Sequence, residues 1–296
     1  MASAMIQVLG FTLAALAVCV VGDDGSCKST PAVQADYSLV LAGARKSGIA
    51  FSDLPGFTRS VYQRDHALIT PESRVWSPHP GWTNSLTSHL MSPASGASFS
   101  MFLAVMQAEG SAAPAVRSSV ERFVLVMEGA AQVTGPEADT LQLAANHWVY
   151  FPPNTTARLT SSSGAGLLVW ERVYAAQGSP AFQHGFVDDS PLLATPGEVF
   201  QLRKLLPQTL DYDFNIHVMD FQPGEHLNVK EIHYNQHGLM LLEGKGIYRL
   251  ADNWYPVQAG DAVWMAPYVL QWYAALGTTR TRYIINKDTT VDPLFS

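Results

Sequence analysis

The chain has 296 residues, 47% of them hydrophobic and 15% charged, with a formal net charge of −7. That length holds two modest domains or one large one, and the low charge together with 22 Gly and 18 Pro suits a β-rich fold with many turns. With no Lys/Arg-rich run, a nucleic-acid partner is excluded, because phosphate binding needs clustered cations.

The opening stretch MASAMIQVLGFTLAALAVCVVG carries no charged side chain. Its apolar core, Met5 to Val21, is shorter than the roughly 20 apolar residues of a membrane span. Small residues and then Asp23 and Asp24 follow it. Residues 1–22 are therefore expected to be a secretory signal peptide cleaved near Gly22, with an uncleaved anchor as the alternative. Cleavage leaves residues 23–55 as an N-terminal arm, no membrane attachment, and Cys27 without an intramolecular partner, since Cys19 is the only other cysteine. Asn154-Thr155-Thr156 is the single N-x-[ST] sequon and a candidate glycan acceptor.

Downstream, aromatic and β-branched runs of strand length follow one another between Gly, Pro and Asn. They are FVLVME (123–128), HWVYF (147–151), LLVWERV (167–173), LMLLE (239–243), IYRL (247–250), AVWMA (262–266) and RYIIN (282–286). Many short strands with turns predict an all-β sandwich or barrel. The chain also repeats. FVLVMEGAAQV (123–133) matches GLMLLEGKGIYRL (238–250), and ANHWVYFPPNTTARL (145–159) matches AGDAVWMAPYVLQWY (259–273). Glu128 and Glu243 are 115 residues apart, Pro153 and Pro267 114, so two blocks keep nearly one offset, as a duplicated domain would. The Gly/Ser/Pro-rich stretch 177–198 reads as the connection, giving an N-terminal barrel over 56–180 and a linker with a C-terminal barrel over 181–296.

The densest polar cluster, Glu231-Ile-His233-Tyr-Asn-Gln-His237, leads into the strand LMLLE. If extended, it places Glu231, His233, Asn235 and His237 on one face, which inside a small barrel is the lumen. Three donors converging there would suit a metal; the plain alternative is a solvated edge strand with incidental histidines.

GEHLNVKEIHYNQHGLMLLEGKG (224–246) and GDAVWMAPYVLQ (260–271) resemble the two signature blocks of the cupin superfamily. That resemblance implies two tandem double-stranded β-helix (jelly-roll) barrels. Its ligand positions are filled here by Glu231, His233, His237 and Gln271, a permuted order that departs from the germin-like oxidase pattern. A mixed N/O set without thiolate favours Mn²⁺ or Fe²⁺ over a closed structural zinc site. Aligning the first copy puts Val116, Ser118, Arg122 and Ala157 at those positions, so the N-terminal barrel is expected to hold no metal, and His147 reads as a core or surface residue.

The stretch NVKEIHYNQHGLMLLEGKGIYRLADNWYPVQAGDAVWMAPYVLQWYAALG, with GFTRSVYQRDHALITPES (56–73) and TPGEVFQLRKLLP (195–207), more narrowly resembles the plant (S)-ureidoglycine aminohydrolases. That resemblance implies Mn²⁺-dependent release of ammonia from (S)-ureidoglycine to give (S)-ureidoglycolate, in ureide (allantoin) breakdown. Glu231, His233, His237 and Gln271 would hold the metal. Glu231, Tyr248, Tyr283 and Lys287 would meet the substrate, with Glu231, Tyr283 and Lys287 in the catalytic roles. It further implies entry into the endoplasmic reticulum and assembly as a homo-oligomer. Another metal-dependent cupin enzyme (an oxidase or dioxygenase) and a non-enzymatic bicupin are the competing readings, since fold alone does not choose among them.

Overall fold

The computed structural model describes residues 19–21, 27–29, 56–115, 117–176 and 178–288. The expected signal peptide and arm fall almost wholly outside these residues. Of them, only a short antiparallel ribbon is described, Cys19–Val21 against Cys27–Ser29. From residue 56 to 288 the described chain consists of strands and turns, with three single-turn 3-10 segments.

The first half builds a closed circuit of strands. Ser100–Ala112 pairs with Ala165–Val173, which pairs with Val120–Gly135. Arg158–Ser161 then pairs with both Val120–Gly135 and Ser100–Ala112 and closes the ring. Phe102, Val124, Val126, Val149 and Val169 fill its interior. The alternate residues Phe123, Leu125 and Trp170 point the other way and are buried too. Burial on both faces is why FVLVM is an unbroken apolar run and does not alternate.

The second half is a sandwich. One sheet contains Gln201–Lys204, Ile216–Phe221, Thr281–Lys287, His237–Glu243 and Ala262–Met265 in that spatial order. The other contains Asn253–Gln258, Lys245–Leu250 and Gln271–Leu276. Phe221, Leu239, Leu241, Tyr248, Val263, Tyr273, Tyr283 and Ile285 form the core between them.

Sheet membership departs from the expected boundaries at 56–180 and 181–296 in two places. His66–Ile69 pairs with Ala262–Met265 of the second barrel, and Gln183–Phe186 pairs with His147–Phe151 of the first. The exchange follows from the strands having free edges that a neighbouring segment can satisfy. The barrels also touch directly. A Cβ on Gly238 would lie 2.6 Å from the Phe99 ring and 2.8 Å from the Met91 sulfur, so only glycine admits this approach.

The repeat is also conformational. Left-handed backbone recurs at Gly129 and Gly244 (φ 73° and 74°), at Asn146 and Gly260, and at Asn154 and Tyr268. In each copy a bulge in the strand pairing falls just before the Glu-Gly pair, at Met127 and Leu242.

Candidate metal centre

His237 is the first residue of the strand His237–Glu243, and Gln271 opens the strand Gln271–Leu276 of the facing sheet. Glu231 pairs with Gln271 in an isolated antiparallel bridge, its N–H donating to Gln271 O at 2.9 Å and its carbonyl accepting from Gln271 N at 3.0 Å. The backbone N–H of Tyr268 fixes His233 by donating to its carbonyl at 2.8 Å. The four sequence-derived ligands thus come from both sheets and meet at one end of the lumen. His233 Nε2 lies 3.2 Å from His237 Nε2, 2.8 Å from Gln271 Nε2 and 3.7 Å from Glu231 Oε2. Asn235 does not join them: the chain bends at Tyr234, and the Asn235 amide donates to Asp288 O instead.

These donors fit a divalent cation. His237 donates from Nδ1 to Asn286 O at 3.2 Å, which leaves its Nε2 as a lone pair aimed at His233. Burial first, then His233 and Lys287, depress the His237 pKa well below the usual imidazole value, so the lone pair is retained at neutral pH. Two imidazole nitrogens 3.2 Å apart, with a carboxylate beside them, form an electron-rich cluster. In octahedral coordination, bonds of about 2.1 Å put neighbouring donors about 3 Å apart, close to this spacing. A half-turn of the Gln271 amide would present Oε1 in place of Nε2 without changing its shape. Among the described residues no three His, Cys, Asp or Glu side chains are already gathered as a cage. Glu231 Oε2 stands 3.7 Å from His233 Nε2, farther than the 3.2 Å between the two imidazoles.

Arg122, the first copy's counterpart of His237, donates from Nε to Glu171 at 2.6 Å and from Nη1 to Ala113 O at 2.9 Å, and its guanidinium lies over the Trp82 ring. A fixed cation occupies that mouth. His147 packs against Phe186 with ring centroids 5.0 Å apart.

The residues assigned to the substrate lie close by. Lys287 is directly across from His237 in the strand register, so both point into the lumen. Burial lowers its pKa, and Glu231 partly opposes this. Tyr283 and Tyr248 are buried deeper and hydrogen-bond one another; burial above all, with Glu231 and neighbouring tyrosines, raises both phenols. They act as neutral groups only. Two further polar residues face the same lumen and were not singled out from sequence, Lys204 and His217. Both sit in runs whose facing strands only the fold reveals.

Asp288, next to Lys287, ties this centre to the first barrel. Arg172 Nη1 donates to Asp288 Oδ1 at 2.7 Å and Ser98 Oγ to Oδ2 at 3.1 Å, while Ser98 N donates to Gln236 Oε1 at 2.9 Å. The carbonyl of Asp288 receives the Asn235 amide. The segment carrying His233 and His237 is therefore held from behind by the other barrel.

No protein-family model matches the chain. An (S)-ureidoglycine aminohydrolase of Arabidopsis thaliana is 53% identical over 279 residues, covering 92% of this chain and 93% of its own length. A probable (S)-ureidoglycine aminohydrolase of Oryza sativa subsp. japonica is 57% identical over 244 residues, 82% of this chain and 79% of its own. An (S)-ureidoglycine aminohydrolase of Escherichia coli K12 is 29% identical over 238 residues, 77% of this chain and 90% of its own. Among solved structures, protein Ylba from E. coli superposes with a TM-score of 0.71 at 25% identity, covering 82% of this chain and 99% of that one. A cupin 2 conserved barrel domain protein from Leptotrichia buccalis superposes at 0.52 with 12% identity, covering 75% of this chain and 96% of its own, and speaks to the fold alone.

Proposed function

The chain belongs to the (S)-ureidoglycine aminohydrolase family and is a hydrolase, and from that premise we propose that it converts (S)-ureidoglycine to (S)-ureidoglycolate and ammonia with Mn²⁺ held by Glu231, His233, His237 and Gln271. The observation that carries the metal reading is the 3.2 Å approach of two imidazole nitrogens beside a carboxylate, with His237 kept neutral by burial. When bound, the cation supplies Lewis acidity and a fixed point for orienting the substrate.

The chain's own groups divide the remaining work. Lys287 offers an ammonium to the substrate carboxylate, and the neutral phenols of Tyr248 and Tyr283 can donate hydrogen bonds but cannot act as bases. Glu231, whose side chain is partly exposed, is placed to take a proton from the incoming water. The new C–O bond forms as the C–N bond breaks, and the proton leaves with the amine as ammonia. Contacts at the carboxylate and at the metal ligands together fix which face of the α-carbon is attacked.

The apolar N-terminal run, Met5 to Val21, supports passage of the chain into the endoplasmic reticulum with cleavage near Gly22, and free sheet edges support assembly as a homo-oligomer. The role is then in ureide (allantoin) catabolism. The test is ammonia release from freshly generated (S)-ureidoglycine, with and without chelator. Release that the chelator abolishes and Mn²⁺ restores, with (S)-ureidoglycolate as product, is expected; no release from metal-loaded protein would refute the reading.

A further inference from the structure

Four neighbouring strands of the second barrel's larger sheet each end in a polar side chain on the lumen face. Leu202 packs on the lumen core, so Lys204, two residues on, shares its face. By the same alternation His217 lies with Met219 and Phe221, Lys287 with Ile285 and Tyr283, and His237 with Leu239 and Leu241. Lys204 is directly opposite His217, His217 is opposite Ile285, and Lys287 is opposite His237. The result is an arc running from a metal ligand to Lys204, across strands spaced about 4.8 Å apart.

This arc carries two ammonium groups, those of Lys204 and Lys287. Among the described residues neither Lys204 nor Lys287 has a carboxylate within 4 Å, whereas the arginines of the same region are ion-paired. Lys287 at least feels Glu231. Lys204 is influenced by burial and by Lys287, both of which disfavour its charge. His217, pushed down to about 3 by burial and then by the two lysines, is neutral and donates from Nε2 to Asn215 Oδ1 at 2.6 Å, so it adds no counter-charge. Two like charges held together at the mouth of a barrel are costly until an anion arrives between them.

We propose that Lys204 and Lys287 form a two-ammonium clamp for the carboxylate of the substrate, which makes Lys204 a specificity-determining residue of this site. The inference rests on the functional reading above, and it explains why a monoanionic substrate would be drawn to this side of the metal ligands.

Its test uses two unreactive probes on the Mn²⁺-loaded protein, followed by calorimetry. N-carbamoylglycine keeps the carboxylate and urea but has no α-amine to release; N-carbamoylglycinamide lacks the carboxylate as well. The wild-type protein should prefer the acid over the amide. Lys204→Gln should weaken the acid about tenfold, the loss expected for one charge-assisted hydrogen bond, and leave the amide unchanged. KM for (S)-ureidoglycine should rise by a similar factor, and Lys204→Arg should restore much of the binding. Because the lysine is unpaired, Lys204→Gln should not lower the thermal midpoint. Acid binding that is the same in wild type and Lys204→Gln, or an equal loss for acid and amide, would overturn the clamp. A Lys204-dependent preference for the acid in a protein that releases no ammonia would uphold the clamp and overturn the aminohydrolase reading.

Discussion

Replacing Arg172 by methionine keeps most of the side-chain volume but removes the guanidinium that faces Asp288. Both partners are almost fully buried, with 6% and 4% of their side-chain surfaces exposed. Breaking a pair of this kind by deleting one member leaves an uncompensated interior charge, at a cost of about 3–5 kcal/mol. For a chain of this size each kcal/mol moves the thermal midpoint by roughly 2–4 °C, so a fall of roughly 10 °C is expected. The loss should depend on pH in a definite direction. Burial already raises the Asp288 carboxyl above its usual range, and Arg172 is the strongest influence opposing that. Without Arg172 the folded state binds the Asp288 proton more tightly than the unfolded chain does, so the variant recovers stability as pH falls and loses it as pH rises. Function should suffer alongside, because Asp288 receives the Asn235 amide between His233 and His237, and Mn²⁺ affinity should drop. Thermal unfolding between pH 5 and 8 with a parallel Mn²⁺ titration reads both effects. An Arg172→Met protein with the wild-type midpoint and metal affinity would refute the claim that the first barrel holds the ligand segment.

Other consequences are open to direct measurement. Gly238→Ala drives a methyl group into the Phe99 ring and the Met91 sulfur and should cost about 1–3 kcal/mol in denaturant unfolding; a neutral result would mean that the barrels separate easily. Glu121, buried and hydrogen-bonded by Tyr150 at 2.5 Å, has its carboxyl pushed up to about 8, mainly by burial. Its proton is bound more tightly in the folded state, so stability should fall as pH rises from about 4.5 to 8, by at most about 1.4 kcal/mol per pH unit. Glu121→Gln should flatten that slope, and an unchanged profile would count against it. Arg122→Leu should lower the midpoint by leaving Glu171 without its partner, while ammonia release per folded molecule and a stoichiometry of one metal per chain persist. A second equivalent of tightly bound metal in wild type would contradict the reading of the first barrel.

Much of this architecture is written locally, in features a sequence displays. Glu128-Gly129 and Glu243-Gly244 mark the same bulged strand end because a left-handed residue is needed there and glycine supplies it. That the four candidate donors come together was legible for a similar reason: Glu231, His233 and His237 are close in sequence, and Gln271 lies eleven residues after Gly260. Features that join distant segments were not legible. Alternation placed Asn235 with the ligands, but a bend at Tyr234 turns its amide to Asp288, a partner 53 residues away. Lys204 and His217 become neighbours of the centre only through strand pairings, and nothing in QLRK or NIHVM announces those. The same holds for Arg172, whose partner Asp288 is 116 residues distant.

The traded strands also decide how this molecule can come apart. His66–Ile69 leaves the first half to edge the second barrel's sheet, and Gln183–Phe186 does the reverse. No single cut near the middle of the chain therefore yields two complete barrels: a cut near residue 180 takes an edge strand from each. Either fragment would present a bare row of backbone donors and acceptors, the template on which chains aggregate. The chain is in effect clasped to itself, so that each barrel is a structural precondition for the other.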